Sequence, residues 1–254
     1  MYLGIDLGTS GVKVVVLNNN NELIAQAQCA IDISRPQALW SEQDPAHWWK
    51  ATNKAMSILK KDQPALLSRI KGIGLSGQMH GATLLDKDNQ IIRPAILWND
   101  GRSAKQCQVI EEREPTTRKI TGNIAMPGFT APKLVWLKEF EPENFSKVAK
   151  VLLPKDYLRF LMTGDFASDM SDSAGTLWLD VANRAWSDKM LDATEMSIEQ
   201  MPTLHEGTEI TGYLLPEIAN SWGLAQVPVV AGAGDNAAGA AGIGVVNPNE
   251  AFLS

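Results

Sequence analysis

The chain opens on two apolar runs, Met1–Ile5 and the β-branched Val12–Leu17, which read as buried strands with a glycine-rich turn between them. The first strand is expected over Tyr2–Asp6 and the second over Val12–Leu17. A turn at Asn18–Asn21 then leads into Glu22–Ala30, so the start is a three-strand antiparallel meander. Asp44-Pro45 is a good helix start, with Asp as the N-cap and Pro at the first helical position. That helix should run to about Lys61, with Trp48, Trp49, Ala55, Met56 and Leu59 among its apolar positions. Ile70–Leu75 predicts a short buried strand ending in Ser76-Gly77. Two more strands are expected near Ala82–Leu85 and Ile92–Trp98, separated by a turn at Asp86–Asn89. Helices should dominate from Arg102 to Leu191, interrupted at Pro115, Pro127 and Gly164. Val227–Ala231 returns to a fully apolar strand that feeds a helix of small residues, Gly232–Gly242, and Glu250–Ser254 reads as a strand that has only begun. Antiparallel strands followed by alternating helix and strand indicate a mixed-sheet α/β domain with a helical insertion.

The 254 residues suffice for one large domain or two small ones with a real core. A net charge of −6 without a basic stretch argues against nucleic acid and anionic membrane as partners. No apolar run approaches the length that spans a bilayer, and the N-terminus lacks a signal-peptide pattern. Cys29 and Cys107 show no metal-type spacing, which points to a reducing, cytoplasmic location. His47, His80 and His205 lie far apart without a zinc-site spacing.

The first turn carries the clearest chemistry. Gly8, Thr9, Ser10 and Gly11 can present backbone N–H groups and hydroxyls to an anion, because no large side chain blocks close approach. Asp6, where the first strand runs out, suits a carboxylate facing a metal-bound phosphate. Strand, phosphate turn, strand is not the order of a Walker loop or a dinucleotide fold, where a helix follows the glycines. A hairpin turn without a ligand would also account for the glycines.

Three further stretches each follow a strand. Asp235-Asn236 heads the small-residue helix, where a carboxylate could accept a proton from a sugar hydroxyl, although an N-cap alone would also place an Asp there. Ser76-Gly77-Gln78-Met79-His80-Gly81 offers Gln78 and His80 to sugar hydroxyls and Met79 as an apolar wall; a polar loop with a satisfied histidine is the alternative. In Trp98-Asn99-Asp100-Gly101-Arg102, the indole could stack on a sugar ring and Asp100 could hold hydroxyls or pair with Arg102. Ala167–Asp180 packs three aspartates among small residues without an EF-hand pattern, and reads as a structured loop that positions a neighbour.

In this order, G-I-D-L-G-T-S-G-V-K, S-G-Q-M-H-G, A-I-L-W-N-D-G-R, G-F-T-A-P-K-L, L-P-K-D-Y-L, S-D-M-S-D-S-A-G-T-L-W-L-D and G-A-G-D-N-A-A-G-A resemble the FGGY carbohydrate kinases. The resemblance implies a ribonuclease H-like, actin-type ATPase fold and ATP-dependent phosphorylation of the ketopentose D-xylulose at its 5-hydroxyl, with magnesium. It makes Asp235 the catalytic base and Asp6 the carboxylate near magnesium and the transferring phosphate. Thr9, Ser10 and Lys13 then belong to the first phosphate turn, and Met79, His80 and Asn236 to the sugar site. Glycerol kinases of the family hold an Arg-Glu pair in place of Met79-His80 and a Tyr in place of Gly128, so Gly128 should leave room for a five-carbon sugar. Family members are about twice this length. Residues 1–245 are therefore expected to be the N-terminal domain and 246–254 the opening of a second that carries the adenosine pocket. Open alternatives are another substrate (ribulose, gluconate or glycerol), a nucleotide-driven chaperone or filament protein, and a sugar-binding module without activity. Self-association into a homodimer is a further expectation, since an interface face without its partner tends to find another.

Overall fold

The computed structural model describes residues 1–253. Its opening is the expected meander: β1 (Tyr2–Leu7), β2 (Gly11–Leu17) and β3 (Leu23–Ala30), each antiparallel to the next. The short β4 (Glu42–Gln43) precedes α1 (Pro45–Asp62), and β5 (Ile73–Gly77) then pairs parallel to β1. Strands Pro228–Val230 and Ala233–Gly234 both pair parallel to β5, and Ile210–Tyr213 adds antiparallel at the far edge, so the main sheet has seven strands and is mixed.

Period-two alternation sorts β1 cleanly. Leu3, Ile5 and Leu7 are buried, while Gly4 and Asp6 lie on the opposite face. The buried face, continued by Val12, Val14, Val16, Ile73 and Leu75, packs against Trp48, Ala55, Met56 and Leu59 of α1 and against Tyr157, Leu158 and Met162 of helix Pro154–Thr163. Asp44 caps α1 by accepting from the Ala46 N–H at 2.9 Å, a bond whose loss costs about 1 kcal/mol. The other face stays uncovered along Gly4, Asp6, Lys13, Val15, Gly74 and Ser76, beside helix Asp235–Gly242.

A second core packs Ile110, Leu134, Leu137, Trp178 and Met190 of the helical insertion against Leu84 and Ile96. Helix Thr130–Phe140 is buried on all sides from Thr130 to Leu137. The chain between Arg102 and Leu191 is less uniformly helical than expected. Strands Lys150–Leu152, Ala167–Asp169, Leu179–Asp180 and Ala185–Trp186 interrupt it, each two or three residues long and paired with a distant or hairpin partner. The strand expected over Ile92–Trp98 is confined to Ala95–Ile96. Glu250–Leu253 forms no strand, and Ser254, the last residue of that expectation, lies outside the described residues. Among the described residues no helix is long and apolar enough to cross a membrane.

Candidate active site

β1 and β5 end, and β2 begins, at one edge of the sheet, and the candidate site is built there. Asp6 sits opposite Lys13 on β2 and opposite Ser76 on β5, and the Ser76 hydroxyl donates to Asp6 Oδ1 at 2.7 Å. The glycine-rich turn is a tight hairpin closed by the Gly8 N–H donating to the Gly11 carbonyl at 3.0 Å. Gly8 therefore spends its amide inside the turn, contrary to the expectation that it faces an anion. The N–H groups of Thr9 and Ser10 have no partner among the described residues. Ser10 and Lys13 are exposed, and Lys13 makes no side-chain bond among the described residues. Asp6, Gly8, Ser10, Gly11 and Lys13 line a cavity of about 310 Å³. The free Ser10 amide and hydroxyl and the unpaired Lys13 ammonium in this cavity, with the free Thr9 amide on the same turn, make a setting for phosphate oxygens.

Gln43 locks this turn to the body. Its Nε2 donates to the Thr9 carbonyl at 2.7 Å, while its Oε1 accepts from Trp48 Nε1 at 2.9 Å and Gln78 Nε2 at 3.0 Å. Trp98, half exposed, donates its indole N–H to Thr9 Oγ1 at 2.9 Å, which leaves its ring face open.

Asp235 enters from the other side of β5. Ala233 pairs with Ser76 and Gly234 with Gly77, and Asp235 is the first residue of the next helix. Its N-cap is Gly234, so capping does not explain the aspartate. Gly232 makes the approach possible: its φ is +78°, and a Cβ there would fall 2.0 Å from the Leu75 carbonyl oxygen. Partial removal of water by the surrounding protein raises the Asp235 carboxyl above the usual range; the Asn236 N–H opposes this at 2.8 Å, and the Asp6 charge adds to it. The two carboxylates thus feel each other across the strand ends.

Met79 and His80 complete the rim. Met79 lies against Gly234, where a Cβ would come within 2.8 Å of its Cγ, and Asn236 Nδ2 is 4.0 Å from its sulfur. His80 has φ +66°, and its Nδ1 is 2.7 Å from the Gly175 carbonyl. A carbonyl only accepts, so Nδ1 carries the proton and Nε2 keeps a lone pair. Burial, with Lys133 adding to it and the Gly175 bond opposing, lowers His80 to about 4, so the ring is neutral at physiological pH. The strained turn is held from below by Lys133, whose Nζ donates to the carbonyls of His80 and Gly128, both at 2.8 Å, and by Thr130 Oγ1 at 3.1 Å from the His80 carbonyl. Burial lowers Lys133 to about 7, with Asp100 opposing and Arg102 adding to the shift.

Residues 1–242 match the FGGY family of carbohydrate kinases, N-terminal domain. The chain belongs to this family. It is similar to the xylulose kinase of Escherichia coli (strain K12), 62% identical over 254 residues, covering all of this chain and 52% of that protein. Among solved structures it is similar to a xyloylose kinase from Brucella ovis, with TM-score 0.95, 53% identity, and 97% of this chain and 51% of that chain covered. A xylulose kinase from Rhodospirillum rubrum gives TM-score 0.91 at 26% identity, over 97% of this chain and 51% of that chain. The chain spans about half the length of the curated relatives it matches. These likenesses bear out the expected actin-type fold, and membership of a carbohydrate kinase family sets aside the chaperone or filament alternative.

Within this FGGY domain, two residues expected at the sugar are engaged elsewhere. Gln78 is buried, and its amide donates to Gln43 rather than facing the opening. Asp100 is buried with its oxygens taken by the Ser41 N–H at 2.6 Å and by Arg102 Nε and Nη2 at 2.9 and 2.7 Å; Arg102 in turn stacks on Trp40 at 3.6 Å. Both support the rim instead of lining it. At Gly128 a Cβ would fall 2.5 Å from the Trp98 carbonyl oxygen, so the absent side chain is required by backbone packing as well as by any room for a sugar. Ser171, Gly175, Lys133 and Gln43 escape a reading of the sequence for site residues. One of them carries a signal: Lys133 is a lysine among the apolar neighbours Ala131, Pro132, Leu134, Val135 and Trp136, whereas Gln43 lies between Glu42 and Asp44.

Proposed function

We propose that this chain is the sugar-binding half of an ATP-dependent kinase that converts D-xylulose to D-xylulose 5-phosphate. The observation that carries the proposal is the pair Asp6 and Asp235, drawn together by the pairing of Ala233-Gly234 with Ser76-Gly77 beside Met79-His80. In this reading residues 1–245 form the N-terminal domain, 246–254 open the second, and the protein works in the cytoplasm. The ketose lies against Met79 and the open face of Trp98, with the His80 Nε2 lone pair accepting from a hydroxyl and Asn236 holding a neighbouring one. Asp235 takes the proton of the 5-hydroxyl as its oxygen bonds to the γ-phosphorus of ATP, and the bond from phosphorus to the β–γ bridging oxygen breaks to release ADP. A carboxylate raised above its ordinary value is a stronger proton acceptor than an unperturbed one. Thr9, Ser10 and Lys13 steady the phosphate oxygens.

A hard oxygen donor with one remaining free oxygen, next to a phosphate turn, suits magnesium, which binds through one or two carboxylates plus phosphates. Asp6 fits this, because Ser76 occupies only Oδ1. Magnesium would neutralise charge on the transferring phosphate, and Asp6 would hold it directly or through water.

The test is ADP release by the complete kinase carrying this half, offered D-xylulose, D-ribulose, gluconate and glycerol. The proposal expects D-xylulose to exceed the others in kcat/KM by at least about tenfold. It also expects Asp235→Asn to lower kcat by about 10³-fold while sugar binding, followed by calorimetry, persists. Preference for another sugar refutes the substrate, and turnover retained in Asp235→Asn refutes the base. The fragment alone should turn over slowly or not at all.

A further inference from the structure

Behind the site lies a group of ionisable side chains that none of these steps uses. Lys155, Asp156, Arg159, Asp169 and Asp172 are each no more than 1% exposed. Lys155 Nζ is 2.6 Å from Asp156 Oδ1, 2.7 Å from Asp169 Oδ1 and 3.1 Å from Asp172 Oδ2, and Arg159 pairs with Asp156. Burying so many ionisable groups is costly, and apolar residues of equal volume would commonly fill such a space with no loss of stability. A role in placing something is the better explanation for their presence.

The cluster has one outlet toward the reacting groups. Asp169 Oδ2 accepts from the Ser171 N–H at 2.8 Å, the Asp172 N–H at 3.1 Å and the Ser171 hydroxyl at 2.5 Å. With its proton committed to Asp169, Ser171 Oγ turns a lone pair to the Gly234 N–H, 3.3 Å away. Gly234 is the residue before Asp235, and it is also held by pairing with Gly77 and by Met79. Lys155 reaches the same strand end, since a Cβ on Gly77 would lie 3.2 Å from Lys155 Cβ.

We propose that Ser171, oriented by Asp169 and Lys155, is a positioning residue that fixes the peptide carrying Asp235 against the end of β5. The proposal rests on the reading of Asp235 as the base. It joins the S-D-M-S-D and L-P-K-D motifs in one chain of contacts. The lysine anchors the aspartate, the aspartate aims the hydroxyl, and the hydroxyl holds the backbone from which the base projects. The anchor acts first on where the proton acceptor stands, while His80 keeps its own tie to the Gly175 carbonyl.

The test compares Ser171→Ala and Ser171→Thr with wild type in the complete kinase. Ser171 borders an open depression of about 440 Å³, so the added methyl of Thr has room. Ser171→Ala should lower kcat about tenfold with the sugar KM within about twofold, and Ser171→Thr should recover most of the loss. Hydrogen exchange on the same preparations should show residues 232–238 exchanging faster in Ser171→Ala while α1 is unaffected. Unchanged exchange at 232–238 overturns the anchor, and so does an unchanged kcat in an active enzyme. If the wild type phosphorylates no sugar, the functional reading fails by itself, and the exchange comparison still decides whether Ser171 holds the Asp235 peptide.

Discussion

Replacing Asp172 by Asn should stabilise the protein near neutral pH, and the gain should grow as pH rises. Burial, opposed by Lys155 and reinforced by the charges of Asp156 and Asp169, pushes the Asp172 carboxyl up to about 8. In the unfolded chain the same group ionises near 3.9. Between those values the folded protein keeps a proton that the unfolded chain has already released. Stability from this group is therefore complete below about pH 4 and is lost as pH rises toward 8, at about 1.4 kcal/mol per pH unit. Asn does not titrate. Between pH 5 and pH 7 the unfolding free energy of the variant should gain about 3 kcal/mol on wild type.

Urea denaturation of both proteins at pH 5, 6 and 7 measures the gap directly. Other groups titrate in that range, and His80, lowered to about 4, acts in the opposite direction because the unfolded chain holds its proton up to about 6.5. The contributions of His80 and of other groups away from the cluster are common to both proteins and cancel in the difference. Asp169→Asn is the contrast. It removes the partner of a buried Lys155 and weakens three hydrogen bonds, so it should cost about 3–5 kcal/mol at all three pH values. Parallel pH dependence of wild type and Asp172→Asn would refute the argument, because it would mean that Asp172 is ionised in the folded cluster.

Because His80 stays neutral, the sugar KM of the complete kinase should be flat between pH 5 and pH 6, below the range in which Lys133 titrates; a change there would contradict a ring held by Gly175 and shielded from water. The acid limb of kcat should lie above that of an ordinary carboxylate, since Asp235 must be ionised to accept a proton. Asp6→Asn should move that limb to lower pH by removing the neighbouring negative charge, and an upward move would reverse the assignment. Gly232→Ala should destabilise by about 3 kcal/mol or more, as its Cβ would overlap the Leu75 carbonyl at a φ that L-residues avoid. A melting temperature unchanged within about 2 °C would show that this segment can adjust.

The opening of the fold was legible because its signals are local. In β1 the buried Leu3, Ile5 and Leu7 fall on one face, and Asp6 falls on the other next to the turn, so strand, turn and carboxylate can be read within a few residues. Asp44-Pro45 likewise declares its own helix. The insertion was less legible. Its strands are two or three residues long, too short to show a period, and Ala167–Asp169 forms only because Thr203–His205 lies beside it. Strands of that kind are fixed by a partner far along the chain, which no local pattern contains.

The same distinction governs the polar residues of the site. Gln78, His80 and Asp100 can all bond to sugar hydroxyls, and sequence alone could not say which would be intercepted first. Gln78 is taken by Gln43, and Asp100 by Arg102 and the Ser41 N–H, while the His80 Nε2 lone pair and the Trp98 ring face are left over. A buried polar group must find a partner, and it takes the one that the fold brings nearest. Residues left with unspent bonding capacity at an opening are therefore better evidence for a binding surface than residue type alone. By that criterion the amides of Thr9 and Ser10, the Lys13 ammonium, one oxygen of Asp6 and His80 Nε2 stand out. All of them sit on the turns that follow β1 and β5 or directly beside them.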